Sequence, residues 1–329
     1  MKNMGLWNNL FRGWGKPEPA PAWARFFNDE QFGAFKHLID EHFRARNQKI
    51  EWGDGALILR QPEGMQQLGL TNLAQLCARN DGDEWKQIVD DHFRTLEKSQ
   101  SEQRVLEDRL TDFARVSELL AVRLWPDKFL GDLDTSKMIQ RHDLPGTISA
   151  LVYDLPSSIR NVTPDEVAGW GRDPDELFRI ALANIRETCI PDVSQQSLGD
   201  DIDVFVLSDE SFFVASHALI LEDHPNCIGP FGTLIGVPHR HVLLAYPIEN
   251  IQVVDAIPRM IAVIAGMERE GPGSISSRIY WHQHGEFFDL PYRVDDNTLH
   301  FMPPESFLEM LQLLSDNGDD DEDDDDEES

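Results

Sequence analysis

The sequence predicts an α+β protein: helices packed on small, mostly antiparallel sheets, arranged as two sequential α/β units and followed by a disordered acidic tail. Three observations carry this. Within residues 163–247 a helix-period segment with Leu177, Ile180, Ala181, Asn184 and Ile185 on one face gives way to apolar runs at 204–207, 212–215 and 233–237, separated by turn residues. A switch of hydrophobic period from about 3.6 to continuous or alternating marks a helix laid on a sheet. The N-terminal part repeats the mixture on a smaller scale. Finally, residues 319–328 are ten adjacent acids, which repel one another and have no apolar surface to offset the entropy of ordering. The expected division is a flexible leader (1–21), a helix-hairpin-helix unit (22–125), a linker (126–141), a C-terminal α+β domain (142–316) and the tail (317–329).

In chain order, Met4, Leu6, Trp7, Leu10, Phe11 and Trp14 crowd the leader beside Lys2, Arg12 and Lys16, before a proline-rich spacer. Trp, Leu and Phe mixed with bases suit contact with a membrane surface by residues 1–16, though the segment is short and weakly basic. Phe32, Phe35, Leu38, Ile39, His42 and Phe43 recur at helical steps over 29–46. Gly53-Asp54-Gly55 reads as the turn of a hairpin joining 50–52 to 56–59. Thr71 is the expected cap of a helix through Ala78, and Asp83 opens another over 84–98. Leu106, Leu110, Phe113, Val116, Leu119, Leu120 and Leu124 form a further amphipathic stripe that predicts a helix ending before Pro126.

Residues 146–154 are apolar and β-branched enough for a central strand. Thr163-Pro-Asp-Glu166 and Asp173-Pro174 each place a capping side chain before a first-turn proline, so two helices start there. Residues 251–266 repeat apolar side chains at helical spacing around Pro258, 278–290 alternate as strands about Gly285, and 303–314 form the last helix.

The formal charge is −30, from 29 bases against 59 acids. Without the run at 319–328 the body still has 29 bases against 49 acids. Such a field repels a phosphate backbone, which argues against direct nucleic-acid binding unless a local basic patch is hidden by the average, and it favours a basic protein partner. Cys77, Cys189 and Cys227 are odd in number, far apart and outside any zinc spacing, as in a reducing cytoplasm. No apolar run reaches the roughly 18 residues of a membrane span.

The sharpest chemical motif is a pair of HxH sequences, His239 with His241 and His282 with His284. On a strand, a spacing of two puts both imidazoles on one face. Two such strands side by side would offer four nitrogens to zinc, with Glu286 or Asp289 nearby. HxH lacks the discriminating power of longer metal motifs, so no metal or other cofactor is expected and hydrogen-bonded histidines are the ordinary reading. Cys227 near His224 is a candidate nucleophile pair set against a buried thiol. Paired acids such as Asp90 with Asp91 and Asp200 with Asp201 read as solvated faces and caps. Trp52, Trp170 and Trp281 would line a binding face or fill a core edge. Asn184, on an apolar helix face, needs a partner, and a loop carbonyl is the expected one.

The succession TPDEVAGWGRDPDELFRIALANIRE, then Phe-Phe-Val-Ala-Ser, GVPHRHVLLAYPI and SISSRIYW resembles the uncharacterised YtpQ-like family of bacterial cytoplasmic proteins over most of residues 140–295, and more loosely over the N-terminal half with its TNLAQL segment. The acidic tail and the Trp-rich leader lie outside that pattern. The resemblance implies an α+β fold and a cytoplasmic setting, and it transfers no catalytic residue. The expected function is therefore a protein-binding, regulatory or immunity-type module acting through an acidic surface, with no catalytic residue assigned. The alternatives are a metal-dependent enzyme using the HxH pairs and an inhibitor that mimics nucleic acid.

Overall fold

The computed structural model describes residues 18–322 except 62–63, 129–134, 201, 271–272 and 296–297. The chain folds as two compact units, Met1–Gln103 and Arg104–Ser329. The expectations for residues 1–16 and for the acids beyond 322 lie outside the described residues.

In the first unit, helix α1 (Asp29–Ala45) starts on a capping box. Asn28 accepts from the Gln31 amide, and the Gln31 side chain accepts from the Asn28 amide, which satisfies two amides that have no partner within the helix. Strands β1 (Ile50–Trp52), β2 (Ala56–Gln61) and β3 (Gly64–Gly69) form an antiparallel sheet. The hairpin over 50–59 is present, and β3 extends it. Helix α2 (Thr71–Arg79) has Leu70, not Thr71, at its cap position, with no side-chain cap bond. Helix α3 (Trp85–Glu107) runs well past residue 98. Phe35, Ile39, Phe43, Leu57, Leu73, Trp85 and Phe93 fill the core between these elements.

The second unit begins with α4 (Phe113–Val116) and β4 (Leu120–Pro126), followed by β5 (Gln140–Arg141), β6 (Thr147–Leu155) and β7 (Ser158–Asn161). Here β6 pairs β4 on one side and β5 and β7 on the other. The stripe at 106–124 is thus not one helix. Leu120, Val122 and Leu124 pair in register with Tyr153, Leu151 and Ser149, and this ladder decides for strand an apolar run that also fits helical spacing. The same pairing draws residues 104–125 out of the N-terminal unit expected to end at 125. Of the expected linker, Thr135–Lys137 forms a 3-10 turn and 140–141 a strand.

Helices α5 (Pro164–Trp170) and α6 (Pro174–Thr188) start as the caps at Thr163 and Asp173 require. Strands β8 (Asp192–Ser197), β9 (Asp203–Ser208), β10 (Thr233–His239), β11 (Val242–Pro247), β12 (Ile279–Gln283) and β13 (Glu286–Asp289) form one antiparallel sheet in the order β13-β12-β10-β11-β9-β8. Helix α7 (Val253–Glu270), hairpin β14 (Tyr292–Asp295) with β15 (Thr298–Phe301) and helix α8 (Glu305–Glu322) complete the unit. The backbone of α8 continues into the acid run, beyond Leu314, because each added residue contributes a hydrogen bond once the helix exists.

Alternation along the six-stranded sheet explains its continuous apolar runs. Ile235, Leu243, Leu207 and Tyr280 face one cluster with β4, β6 and α6. Leu234, Leu244, Val204 and Trp281 face another with α7 and α8. Both faces of the central strands β10 and β11 are buried, so these strands read as nearly continuous apolar runs. A methyl on Gly236 would lie 2.5 Å from Ile264, so the bare backbone lets α7 lie close. The run at 212–215 is not a strand. A 3-10 segment, Val214–Asp223, begins inside it. The Ala215 amide bonds Arg240 O and the Ser216 hydroxyl bonds Val122 O, tying this segment to both sheets in place of a ladder.

Candidate functional site

The strand register separates the two HxH pairs. On the paired strands β10 and β12, Thr233 lies opposite His282, while His239 is six residues further along β10. At about 3.3 Å per residue that is roughly 20 Å, beyond the reach of a shared metal. His282 is buried and faces Glu222 at 3.4 Å, and burial holds its pKa low despite that carboxylate. His284 is a left-handed turn residue (φ 52°), Asp289 pairs with Arg278, and Glu286 is exposed opposite Gln283. Among the described residues no group of three or more His, Cys, Asp or Glu gathers in a metal-holding arrangement.

The other sequence candidates also resolve. Burial pushes the Cys227 thiol up to about 11 and Cys77 up to about 12, and raises Cys189 as well. None is a ready thiolate. The partner of His224 Nε2 is His217. His217 Nε2–H donates to Cys189 O (3.0 Å), which leaves its Nδ1 to accept from His224 (2.9 Å). Asp90 accepts from His42 and Lys86 while Asp91 pairs with Arg94, so these acids do not converge. Asp200 pairs with Arg259; Asp201 lies outside the described residues. The indole N–H groups of Trp52, Trp170 and Trp281 donate to Asp40, Leu110 O and Phe231 O respectively. Trp52 belongs to the first unit, Trp170 packs at the edge of one core of the second and Trp281 is buried inside the other. The Asn184 amide donates to Ser117 O (2.7 Å) and Leu120 O (2.8 Å), the loop-carbonyl role its place on the helix required.

Two features emerge that sequence reasoning missed. One is a groove of about 450 Å³ beside the start of β9 and the end of β11, with Asp203, Phe205, Tyr246, Glu249, Asn250 and Gln252 on its wall and no Lys, Arg or His in its described lining. The Tyr246 hydroxyl is raised by burial and then by Glu249 and Asp255, the sign of a negative field. Strand β8, next to it, is exposed at all six residues and is the outer strand of the sheet.

The other lies at the opposite end of the β10–β11 hairpin. Arg123 and Trp125, two apart on β4, share a face, and the Arg123 guanidinium carbon sits 3.9 Å from the Trp125 ring centre and 5.4 Å from that of Phe212. Arg240, in the turn between β10 and β11, stacks on the same Phe212 ring at 4.5 Å. Arg123 is 6% exposed, whereas Trp125, Phe212, His239, Arg240 and His241 are half-exposed around it. The available signal was an arginine inside the apolar run LAVRLW, but read as a helix that arginine falls on a polar face.

Comparison with protein-family models, with curated proteins and with solved structures found no match. The functional reading therefore rests on this geometry.

Proposed function

We propose that this chain is a cytoplasmic, non-catalytic binding module, of regulatory or immunity type, that takes a basic segment of another protein on its acidic surface. The groove carries the reading. Asp203 and Glu249 supply charge, and Phe205 and Tyr246 supply apolar and cation-binding surface for Lys or Arg side chains. The exposed outer strand β8 beside it offers unpaired backbone groups to an extended peptide. The remaining excess of acids steers a basic partner inward and disfavours nucleic acid. The thiols held protonated and the separated HxH pairs support a binding role over chemistry. The resemblance of residues 140–295 to the YtpQ-like family belongs to the same proposal. No described helix is long and apolar enough to cross a membrane.

The test is calorimetry of the full chain with a Lys/Arg-rich peptide and with its Glu-substituted counterpart, in a truncation lacking 317–329 as well as in the intact protein. The reading expects binding of the basic peptide only, weakened at least several-fold by Asp203→Asn with Glu249→Gln and by salt near 0.5 M, where the screening length is about 4–5 Å. Binding that ignores the double substitution, or that is lost entirely with the tail, places recognition elsewhere.

A further inference from the structure

The Arg123 cluster has no part in the acidic-groove reading, and its composition is unexpected in a chain of charge −30. Among the described residues no carboxylate forms an ion pair with Arg123 or Arg240. The Arg123 Nε is buried with no hydrogen-bond partner, although a guanidinium has five N–H donors and leaving one buried without an acceptor is costly. Stacking on Trp125 and Phe212 satisfies the flat faces of the cation and leaves its Nε–H unanswered. Burial and then the charge of Arg240 bring the Arg123 pKa down to about 10. Both effects oppose the cation, and an anion would relieve both.

The rim is arranged to donate. Arg240 Nε–H donates to His241 Nε2 (2.8 Å), and His241 Nδ1–H donates to Ser211 O (3.0 Å). His241 is thus neutral, with its proton on Nδ1, and it positions Arg240. The His241 backbone amide donates to His239 Nδ1 (3.3 Å), so His239 carries its proton on Nε2, which leaves that N–H as a donor. The backbone fixes the same turn, since Ala215 N bonds Arg240 O and Arg240 N bonds Gly273 O. Two guanidinium groups therefore share the Phe212 ring beside two half-buried imidazoles, with charge that one carboxylate would leave half-neutralised.

We infer that this cluster is a binding site for a small phosphate dianion, either free phosphate or a phosphate monoester, held by the Arg123 and Arg240 guanidinium groups and the His239 Nε2–H. Paired guanidinium forks match phosphate oxygens in geometry as well as in charge. A polyanionic strand is disfavoured by the acids outside the cluster.

The full chain is titrated by calorimetry and by phosphorus NMR with inorganic phosphate and with phenyl phosphate, against chloride at equal ionic strength. Saturable phosphate binding that chloride does not reproduce is expected, weakened by about ten- to a hundredfold in Arg123→Met and in Arg240→Gln, with far-ultraviolet circular dichroism unchanged. Tighter phenyl phosphate identifies an organic phosphate as the ligand, and equal affinity identifies the phosphate ion; either supports the site. Arg240→Gln, on the half-exposed rim, reads the same loss if Arg123→Met does not fold. Asp203→Asn with Glu249→Gln, at the other end of β11, leaves phosphate binding intact, so the two readings fail separately. Absence of saturable phosphate binding, or binding unchanged in both arginine variants, overturns the inference.

Discussion

His217 makes the protein acid-sensitive in a way that one substitution removes. Its ring is 3% exposed and its pKa is brought down to about 4 from the ordinary 6.5, by burial first and then by the neighbouring His224. Because the folded-state pKa lies below the unfolded one, the unfolded chain takes up the proton first as pH falls. Stability from this group is therefore complete above about pH 6.5 and is eroded as pH drops toward about 4. At pH 4.5 the lost stability is about 2.5 kcal/mol, or roughly 5–10 °C in Tm for a unit of this size. His217→Gln keeps a donor for Cys189 O and an acceptor for His224 but does not titrate in this range. Urea denaturation of both proteins between pH 7.5 and 4.5 should show the wild type losing about 2.5 kcal/mol more than the variant. Taking the difference cancels the carboxylates, whose protonation relieves repulsion in both chains alike. Parallel pH profiles would refute the argument and mean that the ring is protonated, or solvated, in the folded protein.

Perturbations at three further sites test the packing of the second unit. Gly232 has φ +89°, and a methyl there would lie 2.5 Å from Trp281 Nε1 and 2.6 Å from His282 O; Gly232→Ala is expected to cost more than about 2 kcal/mol in urea denaturation. Gly169→Ala, inside α5 with nothing within 4 Å of the added methyl, should instead raise stability by up to about 1 kcal/mol. Asn184→Ala leaves the Ser117 and Leu120 carbonyls without their amide donor and should lower stability by about 1–3 kcal/mol, with Asn184→Asp no better because a carboxylate cannot donate.

The parts legible in the sequence are those set by neighbours three or four residues apart. The Thr163 and Asp173 caps were readable because the capping oxygen and the amides it satisfies lie within one turn. The Gly53–Gly55 turn and the strands around Gly285 are local in the same sense. The partner of Asn184 was foreseeable as a class, a carbonyl, but not as Ser117 and Leu120, some 64–67 residues away. Where a run satisfied two periods at once, local information could not decide. Residues 106–124 fit a helix until β6 supplied a ladder for Leu120–Pro126, and residues 212–215 fit a strand until Arg240 O took the Ala215 amide and the chain turned into the 3-10 segment from Val214.

Charge balance, the absence of a disulfide framework, the α+β class and the helix starts were determined by the sequence alone, since composition and short-range spacing decide them. The sites were decided only by tertiary structure. Strand register sent His239 and His282 to opposite ends of one sheet. The closure of residues 214–223 onto two sheets brought Arg123 and Arg240, more than a hundred positions apart, onto one phenylalanine ring. The reason is physical: a site depends on distances between side chains, and those are fixed by which strands pair and in what register, a long-range choice that no window of neighbouring residues encodes.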